Sequence, residues 1–230
     1  MDQFDGRVQY GPFKGLALGR EFGWSSGDLA AKIFGLYEQE VVSALCRFGR
    51  GLDVLIDIGA ADGFYANGSL VSGLVNRCIA FEADEKSRQI MKKNAKLNGV
   101  SDRLTIKGVA TEQNIANIVS ELRDERVLVL IDIEGAEFDL LTENLIQLMP
   151  CPILIELHDW MVDGGELKRL ELMDRLNGSH DVSVLTNDAR NLSGLSELKT
   201  KNDDHRWLIC SEGRGRQMEW LVCVPKKIER

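Results

Sequence analysis

The stretch VLIDIGAADGFY, residues 54–65, decides how the rest of the chain is read. An apolar run carrying one acid, then small residues, then the start of a helical pattern is how a buried strand delivers the chain to a tight turn beside a ligand. Gly59 and Gly63 can take positive φ, so a nucleoside or an amino-acid ligand can lie against bare backbone there. Asp57 places a carboxylate at the strand's carboxyl end, where ligands of open α/β sheets bind.

Outward from that turn, predicted strands and helices alternate. Strands are expected at 53–58, 77–82, 103–107, 126–132 and 153–157, with helices at 63–74, 84–97, 112–123, 135–147 and 163–176. Two late strands, 180–186 and 217–224, close the sheet with one of them antiparallel. Upstream, residues 1–26 form an irregular lead-in with Phe4, Tyr10, Phe13, Phe22 and Trp24. Ser26 and Asp28 offer caps for one long helix over 28–48, whose apolar positions recur at helical spacing. The expected fold is α/β: a Rossmann-like, doubly wound, mostly parallel seven-stranded sheet with helices on both faces. We expect one domain, in which 1–50 is an extension ending in the long helix and 51–230 carries the site. The polar segment 187–216 is too long for an idle connection and is expected to be a substrate loop.

Composition narrows the function classes. The chain has 230 residues, 44% hydrophobic and 28% charged, with a formal net charge of −8. That charge argues against a nucleic-acid or anionic-membrane partner, which needs a positive field. The five cysteines, Cys46, Cys78, Cys151, Cys210 and Cys223, have no CxxC spacing, so neither a disulfide framework nor a zinc site is indicated. No apolar run approaches the roughly 18 residues of a membrane span, and the first residues carry no leader pattern. A cytoplasmic monomer or homodimer is the expectation.

The turn itself selects among cofactors. A dinucleotide site would show GxGxxG and a phosphate loop GxxxxGK[ST]; both are absent. Glu82 ends the second strand, where a carboxylate can accept bonds from both hydroxyls of a ribose. The remaining candidate is S-adenosyl-L-methionine, its methionine and ribose lying between Asp57 and Glu82. A second constellation, VLVLIDIEGAEFDLL at 127–141, ends another buried strand on Asp132 and Glu134. A carboxylate at the tip of a buried strand is costly unless it meets a ligand, so Asp132 enters both the cofactor-binding and the catalytic sets. Glu137 reads as a charge on the first turn of the following helix.

With these motifs together, the sequence resembles the FkbM family of class I S-adenosylmethionine-dependent methyltransferases. DIGAADGFYA resembles its first motif, FEAD its second, and IDIEGAEFDLL with ILIELH its fourth- and fifth-strand motifs, over about residues 52–160. Ala61 stands where the family usually has asparagine, and Leu130 where a lysine often precedes the IDxEG core. The resemblance implies that Asp57, Gly59, Ala60, Ala61 and Gly63 line the methionine and that Glu82 holds the ribose. It places Ala83 and Asp84 beside ribose or adenine and Val109 and Ala110 near adenine. It also implies O-methyl transfer to a small molecule, for which the arginine- and Trp-bearing segment 187–216 suggests a sugar or glycan precursor; a methyltransferase on a macromolecule, or a non-catalytic S-adenosylmethionine-binding module, is the alternative.

His158, at the tip of the strand ILIEL, is the expected general base, with Asp132 and Glu134 beside it in the catalytic set. The less favoured alternative is a divalent metal held by Asp132, His158 and Asp159, with Glu134 near. Tyr10, Lys14, Arg190, Arg206, Trp207 and Arg214 are the expected acceptor-binding residues, because guanidinium groups and an indole suit a sugar or an acidic group.

Overall fold

The computed structural model describes residues 4–21, 27–49 and 51–227; Phe22, Trp24 and the expected cap Ser26 lie outside the described residues. Seven strands, β1 (Leu52–Ile58), β2 (Val75–Phe81), β3 (Leu104–Lys107), β4 (Val127–Ile131), β5 (Ile153–Glu156), β6 (His180–Thr186) and β7 (Glu219–Pro225), form one sheet. Its order is β3-β2-β1-β4-β5-β7-β6. Neighbours from β3 to β5 are parallel, and β7 runs antiparallel to both β5 and β6. The expected fold class and the single antiparallel strand are therefore both found.

Alternation along each strand sorts side chains to two faces. Val54, Ile56, Ile58, Val129, Ile131, Ile153 and Ile155 pack beneath the helices α5 (Glu112–Glu121), α6 (Glu137–Leu140), α7 (Glu143–Gln147) and α8 (Gly165–Asn177). Leu55, Leu128, Leu130 and Leu154 face the other way, onto α2 (Gln39–Gly49), α3 (Phe64–Val71), α4 (Glu85–Leu97) and the lead-in residues Val8, Phe13 and Leu16. Burial on both faces is why β1, β4 and β5 read as unbroken apolar runs.

Three expectations are corrected. The helix over 28–48 is two helices, α1 (Leu29–Ile33) and α2. Between them Gly35 has φ +66° and a Cβ there would stand 2.1 Å from the Tyr10 carbonyl oxygen. The lead-in crosses this point closely, the Gln9 amide donating to the Ile33 carbonyl at 2.7 Å, and helical periodicity cannot report a crossing from elsewhere in the chain. Asp28 does precede α1, but its side chain caps nothing and pairs instead with Lys32 at 2.8 Å. The helix over 135–147 is likewise split, with Thr142 capping α7 by accepting from the Leu145 amide and donating its hydroxyl proton to Glu112 at 2.8 Å. Finally, 187–216 is not an open loop: it carries α9 (Asp203–Cys210) and buries Leu192, Leu195, Leu198 and Cys210 against Phe34 and Leu36.

β1 and β4 are sequence-distant neighbours from which the sheet winds in opposite directions, so the loops at their carboxyl ends diverge and leave a crevice. Among the described residues, no helix is long and apolar enough to cross a membrane.

Candidate active site

A cleft of about 1070 Å³ opens at that switch point, at the upper end of the roughly 300–1,000 Å³ typical of ligand pockets. The β1 turn forms its floor. Gly59 has φ +87°, and a Cβ on it would lie 1.6 Å from the Asp132 carbonyl oxygen, so glycine is what lets the β1 and β4 tips touch. Ala61, at φ +46°, occupies the left-handed region that asparagine and glycine tolerate better. Its amide donates to one Glu82 carboxylate oxygen at 2.8 Å, and the Asp84 amide donates to the other at 2.7 Å. Glu82 thereby ties the β1 turn to the end of β2 and keeps lone pairs for a ligand.

Gly59, Ala60, Ala61, Glu82, Ala83, Asp84, Val109, Ala110 and Asp132 all line this cleft. Asp57 and Gly63 do not. Gly63 underlies α3, its Cα held against Met91 and Asn67. Asp57 is completely buried, with no hydrogen-bond partner for either carboxylate oxygen. Burial, with the charges of Asp132 and Glu82 adding, pushes its pKa up to about 8. Both residues support the floor rather than form its surface.

The cleft is also lined by a cluster around His158, which is only 3% exposed. Its Nε2 lies 3.3 Å from Glu134, 3.7 Å from Asp132 and 3.8 Å from Glu156; its Nδ1 is 3.6 Å from Glu137. Burial lowers the imidazole pKa, but Glu137, Asp132 and Glu134 outweigh it, so the net shift is upward. Desolvation raises Asp132, to about 6, and also Glu156, with His158 opposing the shift at Asp132. Two carboxyl groups this close share one proton at neutral pH.

Glu137 does stand in the first turn of α6, as expected, but not as a surface charge. It is fully buried, accepts from the Gly135 and His158 amides at 2.8 Å each, and so clamps the β4 exit to the β5 exit. The same β4 exit holds Glu134 at φ +53°, a strained backbone of the kind concentrated at functional sites. Glu156 did carry a signal, an acid inside the apolar strand ILIEL. Glu38 carried none. It is buried, binds Tyr65 and Arg214 through its carboxylate, and comes from the break between α1 and α2.

Of the expected acceptor-binding residues, the structure brings only Arg214 to the cleft. Arg190 is buried between Glu40 and Glu212, Arg206 pairs with Asp203, and the Tyr10 hydroxyl donates to Glu197. Lys14 is exposed away from the cleft, as is Trp207 on α9. The arginine cluster in the sequence is mostly a set of ion pairs that fasten the tail to the body. Arg214 itself is held by Glu38, Glu156 and Glu212. Asp159, expected as a metal ligand, turns to Arg169 at 3.5 Å. The residues that do converge are Asp132, Glu134 and His158, which each offer an atom within 4.8 Å of the others and could hold a cation.

No family model and no curated protein sequence matches the chain. Solved structures do. An O-methyltransferase from Bacillus cereus in complex with SAH matches with TM-score 0.52 at 15% identity, over 82% of this chain and 80% of that one. The chain has a Rossmann-like methyltransferase fold. A candidate tRNA (m1A22) methyltransferase from Streptococcus pneumoniae matches with TM-score 0.53 at 14% identity, over 83% and 72%. Precorrin-6y C5,15-methyltransferase from Geobacter metallireducens matches with TM-score 0.50 at 15% identity, over 80% and 86%. Three different acceptor classes on one fold mean that the acceptor must be read from the cleft.

Proposed function

We propose that this protein is an S-adenosylmethionine-dependent O-methyltransferase, akin to the FkbM enzymes, acting on a hydroxyl of a small molecule such as a sugar or glycan precursor. The observation that carries the reading is the placement of two chemistries in one cleft. Glycine-turn backbone with Glu82 and a carboxylate-ringed histidine both line it. The cleft also has room for two ligands together.

The donor supplies an electrophilic methyl group on a sulfonium. Glu82, with two of its four lone-pair positions already used by the Ala61 and Asp84 amides, has the others to accept from ribose hydroxyls. His158 takes the acceptor's hydroxyl proton on Nε2 as the oxygen–carbon bond forms, and the neighbouring carboxylates stabilise the imidazolium that results. Glu137 holds the His158 backbone in place, and the proton shared by Asp132 and Glu156 keeps the cluster from accumulating charge. Positioning contributes most of the rate, and the base about 10²–10⁴-fold.

Calorimetric titration with S-adenosylhomocysteine (SAH) tests the donor site: micromolar binding that weakens at least tenfold in Glu82→Gln is expected, and no binding by the wild-type chain would end the reading. A second reading is favoured by the convergence of Asp132, Glu134 and His158, which fits a divalent cation as well as a proton. Such a cation would acidify a bound hydroxyl. Loss of turnover in EDTA, restored by Mg²⁺ or Mn²⁺, would select this reading over the base.

A further inference from the structure

We propose that the acceptor carries an anionic group, a phosphate or a carboxylate, and that Arg216 stacked on Trp160 is its seat. This rests on the methyltransferase reading for its context, but not for its test.

Four cations line the cleft: Lys32, Lys86, Arg214 and Arg216. Lys32 is committed to Asp28 at 2.8 Å. Arg214 is committed to three glutamates. Lys86 stands beside Asp84 in the first turn of α4, at the Glu82 end. Lys86 and Arg216 have no hydrogen bond or ion pair among the described residues, and of these two only Arg216 lies over an aromatic ring. Its guanidinium carbon lies 4.4 Å from the centre of the Trp160 ring, and among the described residues it makes no hydrogen bond and no ion pair. A guanidinium seated over an indole face satisfies its charge against the ring and leaves N–H donors for a carboxylate or a phosphate.

Trp160 also fixes where this seat lies relative to the chemistry. Its ring is 5.1 Å from the His158 ring, centre to centre. Imidazole and guanidinium are therefore within about 10 Å of each other, a span suited to holding one small acceptor by two points. The rest of the lining is rich in acids, Asp28, Asp132, Glu134, Glu156 and Glu212 among them. Lys32 and Arg214 are already paired with acids, so Arg216 is the cation near His158 left to attract an anion, which favours one orientation of the acceptor. A hydroxyl at the far end of the molecule is then turned toward His158.

The test pairs acceptors that differ only in charge: glucose with glucose 6-phosphate, and galactose with galacturonate, each offered to the full chain with S-adenosylmethionine while SAH is measured. The charged partner is expected to have at least tenfold higher kcat/KM, about the worth of one charge-assisted hydrogen bond. In Arg216→Gln that advantage should collapse through KM more than kcat, and Arg216→Lys should restore part of it. Equal use of neutral and charged partners, or a ratio unmoved by Arg216→Gln, overturns the proposal. So does a parallel loss of SAH affinity in Arg216→Gln, which would assign the arginine to the donor's own carboxylate. If no acceptor is turned over, titration of the SAH-loaded chain with inorganic phosphate decides the seat alone: binding lost in Arg216→Gln supports it, and no binding or unchanged binding refutes it. If SAH itself fails to bind, the methyltransferase reading falls while the phosphate titration of the free chain still judges Arg216.

Discussion

Replacing Asp57 by asparagine should stabilise the free protein, and the gain should grow with pH. The Asp57 carboxyl is fully buried, has no hydrogen-bond partner among the described residues, and is pushed by burial from the ordinary carboxylate value of 3.8 up to about 8. The folded chain therefore holds a proton that the unfolded chain releases above about pH 4. Wherever the folded state binds more protons than the unfolded one, stability falls as pH rises. For this group the fall begins near pH 4 and ends near pH 8, at about 1.4 kcal/mol per unit. At pH 7 the accumulated cost is about 4 kcal/mol. Asparagine has nearly the same shape and no charge to desolvate, so Asp57→Asn removes the slope and leaves the packing. Urea unfolding of both proteins at half-unit steps from pH 4.5 to 9 measures this directly. The two stability curves should converge near pH 4.5, separate through neutrality, and run parallel above pH 8. Curves parallel throughout would mean that Asp57 ionises normally in the fold, and the account of its burial would be wrong.

Four further outcomes follow from the same geometry. Gly59→Ala would force a Cβ to within 1.6 Å of the Asp132 carbonyl oxygen at a φ of +87°; a loss of several kcal/mol in thermal or urea stability is expected, with SAH binding lost too. Ala61→Asn should raise stability by about 0.5–1 kcal/mol by thermal unfolding, because asparagine tolerates the left-handed backbone that alanine holds at φ +46°. The upward shift of His158 means that the acidic limb of the kcat profile should lie above the ordinary histidine value of about 6.5, since the base is active only when neutral. Glu137→Gln should cut kcat at least tenfold with little change in SAH affinity, because the Gly135 or His158 amide loses a charged acceptor at the β4–β5 clamp.

What the sequence determined by itself is the sheet and the side of the cleft formed by the β1 turn and Glu82. Strands β1, β4 and β5 are contiguous apolar runs because both their faces are covered, and a run of that kind is a local property. Gly59, Ala61 and Glu82 follow at the tips of β1 and β2, so strand position carried the turn and the acid together. Only the tertiary structure decided the side around Arg214. Glu38 and Arg214 meet across 176 residues, and Arg190 meets Glu40 across 150. Charge neutralisation of that kind leaves no periodicity to detect: four arginines in a row of polar residues look alike until their partners arrive. Three of the four, Arg190, Arg206 and Arg214, are occupied by acids, while Arg216 lies over the Trp160 ring and lines the cleft. The helix over 28–48 broke for the same reason, since the close crossing of Tyr10 over Gly35 belongs to neither segment alone. Local patterning specifies what a segment is, whereas the partners that neutralise or expose its charges are set by which distant segments the sheet brings beside it.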